Sequence, residues 1–93
     1  MSDQIQKLFG VIQSRKLNPR PGSYTNKLFD EGEDEIVKKI GEEAIEIILA
    51  AKSQGNQRIV EESADLIYHL LVLLSSRDLT WDDVLIELGQ RRR

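Results

Sequence analysis

The chain has 93 residues, 40% apolar and 31% charged, with thirteen Lys or Arg against sixteen Asp or Glu for a formal net charge of −3. That length allows one domain, residues 1–93, and so much apolar content excludes a disordered chain. The absence of cysteine excludes a disulfide scaffold, a thiolate zinc site and a cysteine nucleophile, and the single histidine excludes a multi-histidine metal centre.

Aromatics are only 5%, so the core is expected to be aliphatic. The negative balance argues against nucleic acid as a partner held by its phosphates. No apolar run approaches about 18 residues, and no basic segment leads into an apolar one at the N-terminus, so the expectation is a cytoplasmic protein with no membrane partner. A domain this small buries only about 60–70% of its unfolded surface, which makes a homodimer an expected way to bury more.

Ile5, Leu8, Phe9 and Ile12 recur at helical spacing, and Ser2 or Asp3 can cap the start, so the first helix is predicted over about residues 3 to 15. Pro19 and Pro21 then impose a loop, because each lacks an amide proton and restricts the residue before it. Ser23 is placed to cap a short helix through Leu28 and Phe29, which Gly32 ends in a left-handed conformation.

From residue 33 to about 54, Ile36, Ile40, Ala44, Ile47 and Ala51 form one stripe of a long helix. Gly55 is expected to end it and Asn56 to cap the next, which runs to about Ser76 with Ile59, Ser63, Leu66, Leu70 and Leu73 on one side. Residues 70–74 are apolar on nearly every face, which points again to a subunit interface. Thr80 and Asp83 have the spacing of a capping box for a last helix through Leu85 and Leu88, with Trp81 closing the base of the bundle. Nothing reads as a strand. The predicted fold is all-α, an antiparallel bundle of four to five helices completed by homodimerisation.

The chemistry is concentrated in two acidic segments, Glu42, Glu43 and Glu46 on the first long helix and Glu61, Glu62 and Asp65 on the second. At about 100° per residue, Glu43 and Glu46 lie roughly 60° apart, as do Glu62 and Asp65, so each helix presents a carboxylate pair at the edge of its apolar stripe. The short Gly-Asn connection makes the helices antiparallel neighbours, which lets both pairs converge. Two carboxylates about 5 Å apart repel by roughly 3 kcal/mol at an effective dielectric of 20. Four half-buried ones need a cation.

Oxygen-only ligands favour Mg2+, with Mn2+ as the alternative, over Zn2+. The competing reading is a set of solvated helix faces on an acidic protein. His69 falls on the same side as Glu62 and Asp65, where it can contact substrate, orient a carboxylate, or simply be hydrogen-bonded at the bundle edge. Tyr68 lies on another face, as core or interface.

The Glu43, Glu46, Glu62, Asp65 spacing resembles the signature of the all-α nucleoside triphosphate pyrophosphohydrolases. Residues 21–25, the approach Lys38, Lys39 to the first pair, and residues 64–71 narrow the resemblance, over nearly the whole chain, to the phosphoribosyl-ATP pyrophosphohydrolase family. The resemblance implies a homodimeric enzyme of histidine biosynthesis that converts phosphoribosyl-ATP and water to phosphoribosyl-AMP and pyrophosphate. Many family chains are fused to a zinc-dependent cyclohydrolase, and the lack of cysteine makes this one resemble the stand-alone form.

With that substrate, Glu43, Glu46, Glu62 and Asp65 are expected to hold the metal, and Glu42 is the candidate base or outer partner. The triphosphate is expected to meet Arg15, Lys16, Arg20 and Lys27 around the Pro/Gly loop, Lys38 and Lys39 at the helix start, and Lys52. Ser23 and the amides after it form a candidate anion site, and Tyr24 joins the substrate-binding set. Arg91, Arg92 and Arg93 read as a solubilising tail. Two other functions remain open at this stage: a house-cleaning nucleoside triphosphate pyrophosphohydrolase using the same acids, and a non-catalytic helical dimerisation module.

Overall fold

A computed structural model describes the backbone of residues 2–91 and the side chains of residues 4–91. The helices are α1 (Ser2–Leu17), α2 (Tyr24–Glu31), α3 (Glu33–Leu49), α4 (Asn56–Ser76) and α5 (Trp81–Gln90), with no strand among the described residues. The all-α expectation therefore holds. The proposed caps Ser2 and Asp3, and Arg92 and Arg93 of the tail, lie outside the described side chains.

Phe9 and Ile12 of α1, Leu28 of α2, Ile36 of α3, and Leu71 and Val72 of α4 form the buried core, with Ile40, Ile67 and Trp81 among the residues packed on it. Because apolar residues three and four apart stack on one face of a helix, these few side chains suffice to fix four helices around one cluster. Trp81 thus closes the bundle as expected.

The loop between α1 and α2 is held by a residue whose role the pattern of the chain did not announce. Buried Asn26 accepts from the Arg20 amide at 2.9 Å and donates to the Arg15 carbonyl at 2.7 Å. It pins the proline segment to the end of α1. Ser23 does cap α2, accepting from the Asn26 amide at 3.3 Å.

Gly32 and Gly55 act alike. Each has φ near +95°, with ψ of 177° and 172°, so both occupy the mirror-extended region, which is essentially restricted to glycine, and neither is the left-handed helical residue expected at Gly32. Each glycine ends one helix and precedes the first residue of the next. Asn56 is consequently already helical and makes no side-chain cap, contrary to expectation. Residues Ala50–Gln54 continue α3 as a wider turn, closed by the Gly55 amide on the Ala50 carbonyl at 3.1 Å.

Lys16, expected among the phosphate-binding cations, is engaged elsewhere. Its Nζ donates to the Ser75 carbonyl at 2.6 Å and to Asp78 at 2.7 Å, tying α1 to the turn after α4. The Thr80–Asp83 capping box forms in full, with bonds of 3.1 and 2.8 Å. Beyond its first turn α5 is loosely attached, and none of its residues is buried.

Residues 70–74, expected to point to a subunit interface, find much of their cover within this one chain. All five are buried or half-buried within this one chain, because α1, α2 and α3 surround that part of α4. The exposed large apolar residues include Ile45, Ile48 and Leu49 of α3, Val60 of α4 and Leu85, Ile86 and Leu88 of α5, and also Val11 and Leu17 of α1, Val37 of α3 and Leu79.

Candidate active site

Helices α3 and α4, joined through Gly55, pack along their length, and the packing brings the acidic segments face to face. Glu43 from α3 and Glu62 and Asp65 from α4 each offer a carboxylate oxygen within 4.8 Å of the others. Glu46 lies outside this trio, although it lines the same groove of about 540 Å³ with Glu42, Glu43, Ile45, Arg58, Glu62 and Asp65. Three of the four expected ligands converge. Glu46, half-buried like Glu43, lines the groove beside them.

Burial differs across the trio. Glu62 is buried, at 6% exposure, Glu43 is half-buried and Asp65 is exposed. A hydrogen bond to Glu62, then burial, then the charges of Glu62, Asp65 and Glu46 push the Glu43 carboxyl up to about 7. Ionising it would place another negative charge among groups that already repel. Such a site is relieved by a proton or by a cation.

Oxygens up to 4.8 Å apart fit a hard divalent ion after slight closure, since ligands opposite one another across a Mg2+ octahedron lie about 4 Å apart. The donor set is carboxylate only. That composition fits Mg2+ or Mn2+ and disfavours a zinc centre built on nitrogen or sulfur.

The other expected site residues are spread over several places. Arg20, Ser23, Tyr24 and Lys27 line a second cleft, of about 640 Å³, along the proline loop and α2. Glu42 lies on the carboxylate groove, paired with Lys39 at 3.7 Å. Lys38 pairs with Glu35 at 3.9 Å, and Lys52 sits exposed in the last turn after α3, so neither lines a cleft. Arg15 is half-buried at the end of α1, where its carbonyl receives Asn26.

His69 is buried with both ring nitrogens engaged. Nδ1 lies 2.7 Å from the Asp65 carbonyl, which only accepts, so Nδ1 carries the proton. In the neutral ring Nε2 then accepts from the Tyr24 hydroxyl at 3.1 Å. His69 therefore links Tyr24 to the backbone of the acidic segment. Tyr68 stacks on Tyr24 with centroids 6.1 Å apart and hydrogen-bonds Thr25, which places it at the contact between α2 and α4. Burial pushes the Tyr24 phenol above 10.0, Lys39 opposes this, and Tyr68 and Glu43 add to it. Tyr24 thus sits between the loop cleft and the carboxylates.

Two groove residues, Ile45 and Arg58, were missed, and only Arg58 is charged. Arg58 binds Glu61 at 2.5 Å and also contacts Glu62. Its positions three and four residues before two acids were the available signal.

The architecture defines a class, an all-α protein with an acidic groove between two neighbouring helices. The phosphoribosyl-ATP pyrophosphohydrolase family model matches residues 5–92. The chain is 53% identical to the phosphoribosyl-ATP pyrophosphatase of Pelotomaculum thermopropionicum, covering 98% of this chain and 93% of that one. It is 49% identical to the enzyme of that name from Limosilactobacillus fermentum, covering 94% and 82%. A match of 49% to the histidine biosynthesis bifunctional protein HisIE of Caldanaerobacter subterraneus covers 94% of this chain and 42% of that protein. The chain belongs to the phosphoribosyl-ATP pyrophosphohydrolase family.

Proposed function

We infer that this chain hydrolyses phosphoribosyl-ATP to phosphoribosyl-AMP and pyrophosphate, a step of histidine biosynthesis, with the α–β phosphoanhydride cleaved in the groove between α3 and α4. The observation that carries this reading is the convergence of Glu43, Glu62 and Asp65 within 4.8 Å, in a member of this family. A bound Mg2+ or Mn2+ supplies charge neutralisation at the phosphates and a more acidic attacking water.

Glu43, Glu62 and Asp65 would hold that ion, with Glu46 completing the set from the groove wall or through water. Glu42, held by Lys39 at the groove edge, is placed to take the proton of the attacking water. Arg20, Lys27 and the amides after Ser23 give the loop cleft a positive end for the polyanionic substrate. The Tyr24–His69 hydrogen bond fixes that cleft relative to the acidic segment.

The exposed apolar residues Ile45, Ile48, Leu49 and Val60 are read as a homodimer contact, and Ile45 also lines the carboxylate groove, so the second copy would border the site. Among the described residues no helix is long and apolar enough to cross a membrane.

A substrate panel with pyrophosphate release as readout tests the assignment. Phosphoribosyl-ATP is expected to be turned over in preference to ordinary and damaged nucleoside triphosphates. Faster hydrolysis of the latter would assign the same acids to house-cleaning instead. Sedimentation analysis checks the dimer.

A further inference from the structure

Among the described residues, Arg58 is the one cation that lines the carboxylate groove. Its guanidinium is divided between two acids of its own helix, Glu61 at 2.5 Å and the buried Glu62. The two contacts are unequal in kind. The Glu61 side chain is 46% exposed, whereas that of Glu62 is 8% exposed and belongs to the converging trio.

An arginine on Glu62 and a divalent ion at the trio would compete for the same carboxylate lone pairs and repel one another. Arg58 is itself 44% exposed on a long stem, so leaving Glu62 requires little rearrangement, and Glu61 would keep it at the rim. From there it faces a groove whose other described lining residues carry no positive charge, and into which the nucleotide must bring its phosphates.

We propose that Arg58 is an exchangeable counter-ion, which neutralises Glu62 in the metal-free protein, yields that carboxylate when a divalent cation binds, and then pairs with the phosphate chain of the substrate. The inference rests on the metal-dependent reading of the groove given above. It makes Arg58 oppose the cation in the absence of nucleotide and assist the nucleotide in the presence of the cation. A purely structural salt bridge would do neither.

The test compares the full-length chain with its Arg58→Met and Arg58→Lys variants, each checked for folding by circular dichroism. Without nucleotide, Mn2+ affinity measured by electron paramagnetic resonance is expected to tighten about fivefold in Arg58→Met, as expected for removing a competing charge at a partly screened site. At saturating Mg2+, the same variant is expected to raise KM for phosphoribosyl-ATP about tenfold with kcat nearly unchanged, the mark of a binding contact. Arg58→Lys, which keeps the charge without the planar fork, should fall between in both measurements. Unchanged or weaker Mn2+ binding in Arg58→Met, or an unmoved KM, overturns the proposal. If the unmodified protein itself binds no Mn2+, the metal-dependent reading falls together with it, so the two failures are told apart.

Discussion

Glutamates in two regions of this molecule meet opposite fates. At the start of α3, Glu33 receives two hydrogen bonds from Arg77, at 2.5 and 2.7 Å, and this partner holds its carboxyl below the usual value. Two turns and more along the same helix, Glu43 faces other acids, and its carboxyl is pushed up to about 7. The residue type is the same. What differs is whether the tertiary neighbours bring a cation or another carboxylate, and only the second arrangement creates a demand for a bound ion.

The sharpest break of that contrast is mutational. Glu62→Gln and Asp65→Asn are expected to lower pyrophosphate release by about a thousandfold or more while the fold survives, since each removes a proposed ligand of the ion. Glu33→Gln should leave turnover within about twofold, because an exposed pair far from the groove contributes little. Comparable losses in both sets would erase the distinction between the regions.

Glu46 offers a finer division within the groove. Lying outside the converging trio, it should tolerate Gln with a loss of about tenfold, in line with outer-shell ligand changes, and a loss equal to that of Glu62→Gln would make it a full ligand.

Cation binding supplies the next effect. Millimolar Mg2+ or Mn2+ should raise the melting temperature by a few degrees, as expected for a ligand that binds only the folded state, and Glu43→Gln should abolish the shift. A shift of equal size in that variant would place the ion elsewhere.

The smallest effect is in pH. With its carboxyl raised from 4.5 to about 7, native Glu43 keeps a proton that the unfolded chain has released, so in the absence of metal its contribution is present at low pH and is lost as pH rises through 7. Glu33, whose carboxyl is lowered by Arg77, has the reverse sign, and its contribution is lost as pH falls below 4.5. Urea melts of metal-free protein between pH 5 and 8 should show a decline that Glu43→Gln flattens. A decline that persists unchanged in that variant must come from other groups.

Much of the scaffold was readable from local pattern. Helix spacing placed α1, α2, α4 and α5 closely, the helix expected from residue 33 to about 54 ends as α3 at Leu49 and continues as a wider turn to Gln54, the two prolines placed the loop, and Thr80 with Asp83 signalled the start of α5. The acidic spacing identified Glu43, Glu62 and Asp65 as one site. Helical angle alone could not rank Glu46 below them, because it gives direction around an axis and says nothing of the height or rotation at which the second helix docks. For the same reason, the angular position of His69 left open substrate contact, orientation of a carboxylate or a histidine hydrogen-bonded at the bundle edge, and only the packing brings Tyr24, forty-five residues earlier, to its second nitrogen. Nor did the apolar run at residues 70–74 reveal its own cover, which comes from α1, α2 and α3.

Periodicity, proline and glycine punctuation and charge spacing act over a few residues, so they settle which segments are helical and which acids share a face. The approach of three carboxylates to within 4.8 Å, the engagement of Arg58 with Glu62, and the bond between Tyr24 and His69 depend on how α2, α3 and α4 pack. Those distances follow from burying one aliphatic core among several helices at once, a condition that no single segment contains.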